Sequence, residues 1–161
     1  MQSANVLRER LLRLLLVGLL FCAAAAPQSG PLNRGCRNST VDVYGPKLAA
    51  KARAFLEELK AAIRAEDTQK VASMATYPLV FFSRGRKLTI PDRAQFLSMY
   101  KDVITPDVRR AVLQQSSKCL FGNWQGATVG SGQLWFCEQS DGAFKIISVC
   151  SECSDGGKSA L

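Results

Sequence analysis

The sequence predicts an α+β domain, and three observations lead to this prediction. Apolar residues recur at three- and four-residue steps between residues 46 and 115, as they do on amphipathic helices. From residue 118 onward the pattern changes to short strand-like runs that glycine-containing turns separate. The chain of 161 residues is long enough for one domain with its own core. Helices followed by antiparallel strands predict helices on one face of a curved sheet.

Four helices are predicted in the first half. The first begins near Pro46 and lasts four to five turns, because one stripe holds Leu48, Ala52, Phe55, Leu56, Leu59 and Ile63. Asp67 caps a short second helix, which must end before Pro78.

The third helix is predicted to run from Asp92 through Ile104, and the fourth from Thr105 to about Gln115. The fourth has a strong start signal in Thr105-Pro106-Asp107. These residues supply a hydroxyl cap, a proline for the first turn and a carboxylate at the positive end of the helix.

The predicted strands form two groups. Leu79–Ser83 and Lys87–Ile90 flank Arg84-Gly85-Arg86 and predict a β-hairpin between the second and third helices. Leu120–Val129, Gln133–Gln139 and Ala143–Val149 predict three further strands joined by short turns that contain glycine.

The N-terminus predicts a signal peptide over residues 1–25. A positive region is followed by an apolar run at residues 14–21 and by alanines at residues 23–26. Cleavage is expected after Ala25, with Ala26 as the alternative; a membrane anchor and a lipoprotein site at Cys22 are the other interpretations. The apolar run is shorter than the ~20 residues that a membrane span needs. The expected location is therefore periplasmic or secreted, with no stable membrane span after processing.

The remaining chain divides into an extended lead-in at residues 26–46, a domain at 47–153 and a flexible tail at 154–161. The net charge of the whole chain is +8, and removal of the leader leaves 18 basic and 12 acidic residues. The basic residues are scattered, so we expect a mildly basic surface. Export from the cytoplasm makes nucleic acid an unexpected partner.

The sequence contains no histidine. This absence excludes Ser-His and Cys-His nucleophile pairs and any metal held by histidine. Catalysis would have to use Asp, Glu, Tyr, Lys or Cys. We predict neither a metal nor a cofactor.

Five cysteines follow the leader, and in an exported chain we expect them to form disulfides. They are Cys36, Cys119, Cys137, Cys150 and Cys153. Predicted hairpin registers place Cys119 and Cys137 at the same end of the sheet, which predicts a bridge between them. Cys36 is then expected to bridge to Cys150 or Cys153, and the last thiol stays unpaired or pairs between chains. Residues three apart in a strand lie ~10 Å apart, so a Cys150–Cys153 bridge would require a turn.

Aromatic and amide side chains supply the candidates for a pocket. They are Tyr77, Tyr100, Trp124, Gln133 and Trp135. Filling of the core is the alternative role for the aromatic members, since strand aromatics often pack inside.

One set of segments resembles a known superfamily. The set is Tyr77-Pro78 before a hairpin, Phe96-Leu97-x-x-Tyr100, Thr105-Pro106-x-Val108, residues 120–126, residues 130–136 and Lys145-Ile146-Ile147. In this order they resemble the exported bacterial branch of the nuclear transport factor 2-like (SnoaL-like) superfamily over residues 47–150. The resemblance implies a curved antiparallel sheet wrapped around a long N-terminal helix, in a cone-shaped α+β barrel with a cavity at one end.

Enzymes of this superfamily place an aspartate, often with Tyr or His, inside the cone. Residues 77–83 carry no acid and the chain has no histidine, so no catalytic residue is nominated. We therefore expect an exported, non-catalytic domain that binds a small apolar ligand or an envelope protein through its cone or sheet face. The alternatives are an isomerase or hydrolase with an interior carboxylate, and an envelope inhibitor or immunity-type protein that uses the basic hairpin at residues 84–87. A homodimer is left open.

Overall fold

The computed structural model describes residues 39–153, which belong to one compact unit, Gly35–Leu161. The predicted signal peptide, Cys36 and the tail at 154–161 lie outside the described residues. The elements in chain order are α1 (Ser39–Arg64), α2 (Thr68–Ser73), β1 (Ala75–Ser83), β2 (Arg86–Ile90), α3 (Arg93–Ser98), α4 (Tyr100–Val103), α5 (Pro106–Gln114), a 3₁₀ turn (Ser117–Cys119), β3 (Phe121–Asn123), β4 (Gly126–Val129), β5 (Leu134–Glu138) and β6 (Phe144–Cys150).

The α+β class is confirmed, but the sheet differs from the predicted one. Its six strands lie in the order β2-β1-β6-β5-β4-β3, with β2 and β3 at the two edges, so it does not close into a barrel. Strands β1 and β6 are parallel, whereas the other neighbours are antiparallel. The sheet is therefore mixed. The cone and the wrapping around one long helix are not confirmed.

The core lies between the helices and one face of the sheet. The predicted stripe of α1 faces it, with Leu56, Leu59 and Ile63 fully buried. Alternate strand residues meet this stripe; Phe81 and Phe136 are among the largest fully buried side chains. None of the described helices is long and apolar enough to cross a membrane.

Local signals fix most helix ends as predicted. The carboxylates of Asp67 and Asp92 accept hydrogen bonds from backbone amides three residues later, each at 2.8 Å. The Thr105 hydroxyl accepts a longer bond of 3.4 Å from the Val108 amide. The first helix begins earlier than predicted, but Gly45 has non-helical dihedral angles (φ 72°, ψ 167°), so the regular part starts near Pro46. The predicted third helix is divided into α3 and α4 at Met99.

The predicted strand Leu120–Val129 is two strands joined by a tight turn. The Asn123 side chain accepts a hydrogen bond of 2.9 Å from the Gln125 amide, which reverses the chain at Trp124. Gly126 then has φ +149°, and a Cβ there would lie 2.7 Å from the Phe136 carbonyl oxygen. Glycine is needed at this position because β4 and β5 approach too closely for a side chain.

The predicted disulfide pairing is wrong. Cys119 is disulfide-bonded, but Cys137 is free, so they do not bridge. The reason is strand order: β4 lies between β3, which follows Cys119, and β5, which holds Cys137. Two strand spacings separate them by about 10 Å, beyond the ~7 Å limit for a bridge.

Cys150 and Cys153 bridge each other, which also excludes the predicted bond from Cys36 to either of them. Their Cα atoms lie 5.5 Å apart because the chain turns at Ser151 and Glu152. The Ser151 amide donates to the Phe82 carbonyl at 3.0 Å, and the Glu152 carboxylate accepts from the Arg84 amide at 3.0 Å. The bridged turn therefore joins the end of β6 to the β1–β2 hairpin.

Removal of this bridge should destabilise the domain moderately. A four-residue loop restricts the unfolded chain only a little, so we expect Cys150→Ser with Cys153→Ser to lower the free energy of unfolding by about 2 kcal/mol. Urea unfolding measures this loss. Cys137→Ser, which breaks no bridge, is the matched control and should cost less than about 1 kcal/mol. An equal loss in both proteins would contradict this role for the bridge.

Candidate functional site

The candidate site is an open groove of about 440 Å³ between α1, the end of α2 and the β5–β6 hairpin. Its volume falls in the range of roughly 300–1,000 Å³ that is typical of small-molecule sites. We call it the lysine groove. It is lined by Lys51, Ala54, Phe55, Glu58, Lys70, Ser73, Met74, Gly142, Ala143, Phe144 and Lys145.

The floor of the lysine groove is apolar. Phe55, Met74 and Phe144 line it and are each only 4–8% exposed, so they belong to the core and face the groove with a small part of their surface. The Phe55 and Phe144 rings lie 6.1 Å apart, and both pack on Phe136. This aromatic packing makes the floor rigid.

Three lysines form the rim. The Lys70 ammonium contacts the Glu58 carboxylate at 2.5 Å, and the Lys51 ammonium contacts Glu138 at 3.2 Å. The Lys145 ammonium donates to the Ser73 carbonyl oxygen at 2.7 Å. Hydrogen bonding to Glu58 and its charge raise the pKa of Lys70, which keeps that side chain protonated.

The β5–β6 turn closes one end of the lysine groove. Gly142 has φ +78°, and the Asp141 carboxylate accepts from the Ala143 amide at 2.9 Å. A Cβ at Gly142 would lie 4.0 Å from the Lys51 ammonium and 3.9 Å from Glu138. Such a Cβ would make only ordinary van der Waals contact with this ion pair, so the positive φ and not lack of space favours glycine here.

None of the five predicted pocket residues is among those that line the lysine groove. Tyr77 and Tyr100 instead pack edge-on against the buried Phe96, with ring centroids 6.3 and 6.0 Å away. The Tyr77 hydroxyl donates to the Ala72 carbonyl at 2.9 Å. The Tyr100 hydroxyl is buried without a hydrogen-bond partner among the described residues. Burial raises the pKa of both tyrosines.

The other three predicted residues lie toward the β3 side of the sheet. The Gln133 side-chain oxygen accepts from the Ser131 amide at 2.6 Å and so stabilises the β4–β5 turn. Trp135 is half-buried; it alternates with the core residues Leu134 and Phe136, so it lies on the face away from the helices. Trp124, in the β3–β4 turn, is 85% exposed.

Sequence reasoning missed the rim lysines. Lys51 and Glu58 belong to one helix, four residues before and three residues after Phe55 of the apolar stripe. That spacing is a local signal for one wall. Lys70 follows on the next helix, α2, but Lys145 comes from a distant strand, and no local pattern brings it to α1.

Cys137 is the free thiol among the described cysteines, and it is half-buried. Burial raises its pKa, while a hydrogen bond from the Gln139 amide nitrogen at 3.2 Å acts in the opposite direction. The nearby Tyr44 has its pKa raised to about 12 by burial and by the charge of the Cys137 thiolate. Neither group is poised as a base or nucleophile near neutral pH.

The acidic side chains of the described residues lie at the surface. Every Asp and Glu side chain described between residues 43 and 153 is exposed, including Glu58 in the groove. The alternative prediction, an isomerase or hydrolase, requires a carboxylate buried inside a cavity. Residues 39–153 also bring together no group of three or more His, Cys, Asp or Glu side chains that could hold a metal ion.

Comparisons with family models, curated proteins and solved structures find no match to this chain. The resemblance to the nuclear transport factor 2-like superfamily therefore stays a prediction from the quoted segments.

The two tyrosines that flank Phe96 should respond differently to loss of the hydroxyl. Tyr77→Phe breaks a hydrogen bond and should lower the free energy of unfolding by about 1 kcal/mol. Tyr100→Phe removes a buried unpaired hydroxyl, so stability should stay the same or rise by up to about 1 kcal/mol. Denaturant unfolding of the two variants gives the comparison. A clear loss of stability in Tyr100→Phe would show that its hydroxyl has a partner in solution.

Proposed function

We propose that the chain is an exported, non-catalytic binding domain whose lysine groove takes a small apolar ligand. The observation that carries the proposal is the rigid floor of Phe55, Met74 and Phe144 at the base of a groove of about 440 Å³. Such a surface gains free energy when an apolar ligand displaces water from it.

The walls support the same kind of ligand. Ala54, on α1, leaves space above the floor, and the lysine side chains contribute methylene groups below their charged ends. The exposed carboxylates suit the solvated rim of a binding site better than general acid–base catalysis. Export remains part of the proposal and rests on the leader sequence at residues 1–25.

A single substitution on α1 should block the groove. Ala54→Trp fills the space above the floor, and we expect it to weaken binding of dodecanol, a neutral apolar probe, by about tenfold or more. Native mass spectrometry and titration calorimetry measure the affinity. Ala61→Trp is the matched control, since Ala61 is exposed on the same helix but does not line the groove.

Circular dichroism checks that both variants keep their helices. Equal dodecanol affinity in the wild type and Ala54→Trp would place the ligand elsewhere. No binding of dodecanol to the wild type would overturn the proposed function.

The second proposal is that an envelope protein binds the aromatic surface around β3. The specific observation is exposure: Trp124 is 85% exposed and Phe121 52% exposed, while Trp135 is half-buried two strands away from Phe121. Exposed tryptophans are common anchors of protein interfaces, where their burial supplies much of the affinity.

Substitution of the exposed tryptophan tests this second proposal. Trp124→Ser should remove a crosslinked partner that the wild type captures from envelope extract. Dodecanol binding should remain, because Trp124 does not line the lysine groove. If the wild type and Trp124→Ser capture the same partner at equal yield, the aromatic surface is excluded as its binding site. A homodimer would appear in the same experiment as a crosslinked second copy of the chain.

A further inference from the structure

The floor of the lysine groove indicates an apolar ligand, and the charged rim indicates in addition what head group that ligand carries. We propose that the ligand of the lysine groove is an amphiphile with an anionic head group, which binds the Lys145 ammonium. This inference rests on the proposed function, since it concerns the same groove. The ligand class is an apolar body with a carboxylate or another anionic head.

The balance of charges at the rim is positive. Of the charged side chains that line the groove, Lys51, Lys70 and Lys145 are positive and Glu58 is negative, while the carboxylates of Glu138 and Asp141 lie beside the groove without lining it. Lys51 and Lys70 each contact one of these carboxylates. The positive charge of the third lysine is left unmatched, which suits an anionic head group.

Lys145 holds this unmatched charge. Its ammonium donates one hydrogen bond, to the uncharged Ser73 carbonyl, and forms no ion pair with a described carboxylate. An ammonium has three donors, so two remain for a ligand. The Ser73 contact spans 72 positions of the sequence and fixes the head of Lys145 at the mouth of the groove before any ligand binds.

The neighbouring ion pairs do not prevent access to the rim. Lys51 and Lys70 are 55% and 44% exposed, and Glu58 is 52% exposed. Ion pairs this exposed contribute little to stability, so the side chains can turn toward a bound anion at small cost.

The floor explains why the ligand is an amphiphile and not an inorganic anion. The buried rings of Phe55 and Phe144 give no hydrogen bonds to a small ion. An apolar tail lies on these rings, while its charged head stays at the hydrated rim beside Lys145. The groove thus separates the two halves of the ligand by polarity.

Three probes test the proposal by titration calorimetry of the folded protein: dodecanoate, dodecanol and acetate. A hydrogen bond to a charged group predicts that dodecanoate binds about tenfold or more tightly than dodecanol. Acetate, which lacks a tail, should bind too weakly to measure. Equal affinity for dodecanoate and dodecanol would overturn the anionic head while leaving the proposed function standing. Failure of both long-chain probes would overturn both.

Two lysine variants assign the head group. Lys145→Met removes the charge but keeps an apolar side chain of similar length, so the preference for dodecanoate over dodecanol should disappear while dodecanol still binds. Lys87→Met is the matched control, because Lys87 is exposed on β2 and does not line the groove. A full preference for dodecanoate in Lys145→Met would overturn the assignment to Lys145.

Discussion

The parallel pairing of β1 with β6 is the contact on which the rest of the structure depends. It joins residue 75 to residue 146, so the helical first half and the antiparallel second half become one sheet. Closure of so long a loop costs conformational entropy, which the buried faces of both strands offset. Leu79, Phe81, Ile146 and Val149 supply these faces and are almost fully buried.

The lysine groove lies at one end of this pairing, and the disulfide-bridged turn lies at the other. At the start of β1, the Met74 carbonyl accepts from the Ile146 amide at 2.8 Å, which brings α2 beside the β5–β6 turn and forms the lysine groove. At the other end, Phe82 lies opposite Cys150, where the bridged turn meets the hairpin. The core that stabilises the pairing also provides the groove floor through Phe144.

Much of the fold was predictable from the sequence because its signals are local. The stripe of α1 and the caps at Asp67, Asp92 and Thr105 depend on residues within a few turns of each other. The division at Trp124 was missed because Asn123 and Gly126 form a turn inside an apparently continuous strand. Strand order was not predictable, because parallel pairing across 71 positions leaves no local pattern.

The candidate site shows the same limit. Residues on one helix share a face because of their spacing alone, so the wall that α1 forms around Lys51 could have been predicted from the sequence. Lys70 meets it through the turn between α1 and α2, whereas Lys145 meets it only through the β1–β6 pairing. The aromatic candidates were chosen by residue type, and type does not distinguish Tyr77, in the packed cluster at Phe96, from the exposed Trp124. The disulfide error has the same origin, since it assumed neighbouring strands for Cys119 and Cys137.

The burial of Cys137 affects how readily the disulfide bonds of the chain can exchange. A free thiolate attacks disulfides, so one unpaired cysteine in a bridged protein can rearrange its bonds. Burial raises the pKa of Cys137 and lowers its thiolate fraction near neutral pH. Burial of Cys137 thereby lowers the concentration of the form that attacks the chain's own disulfides.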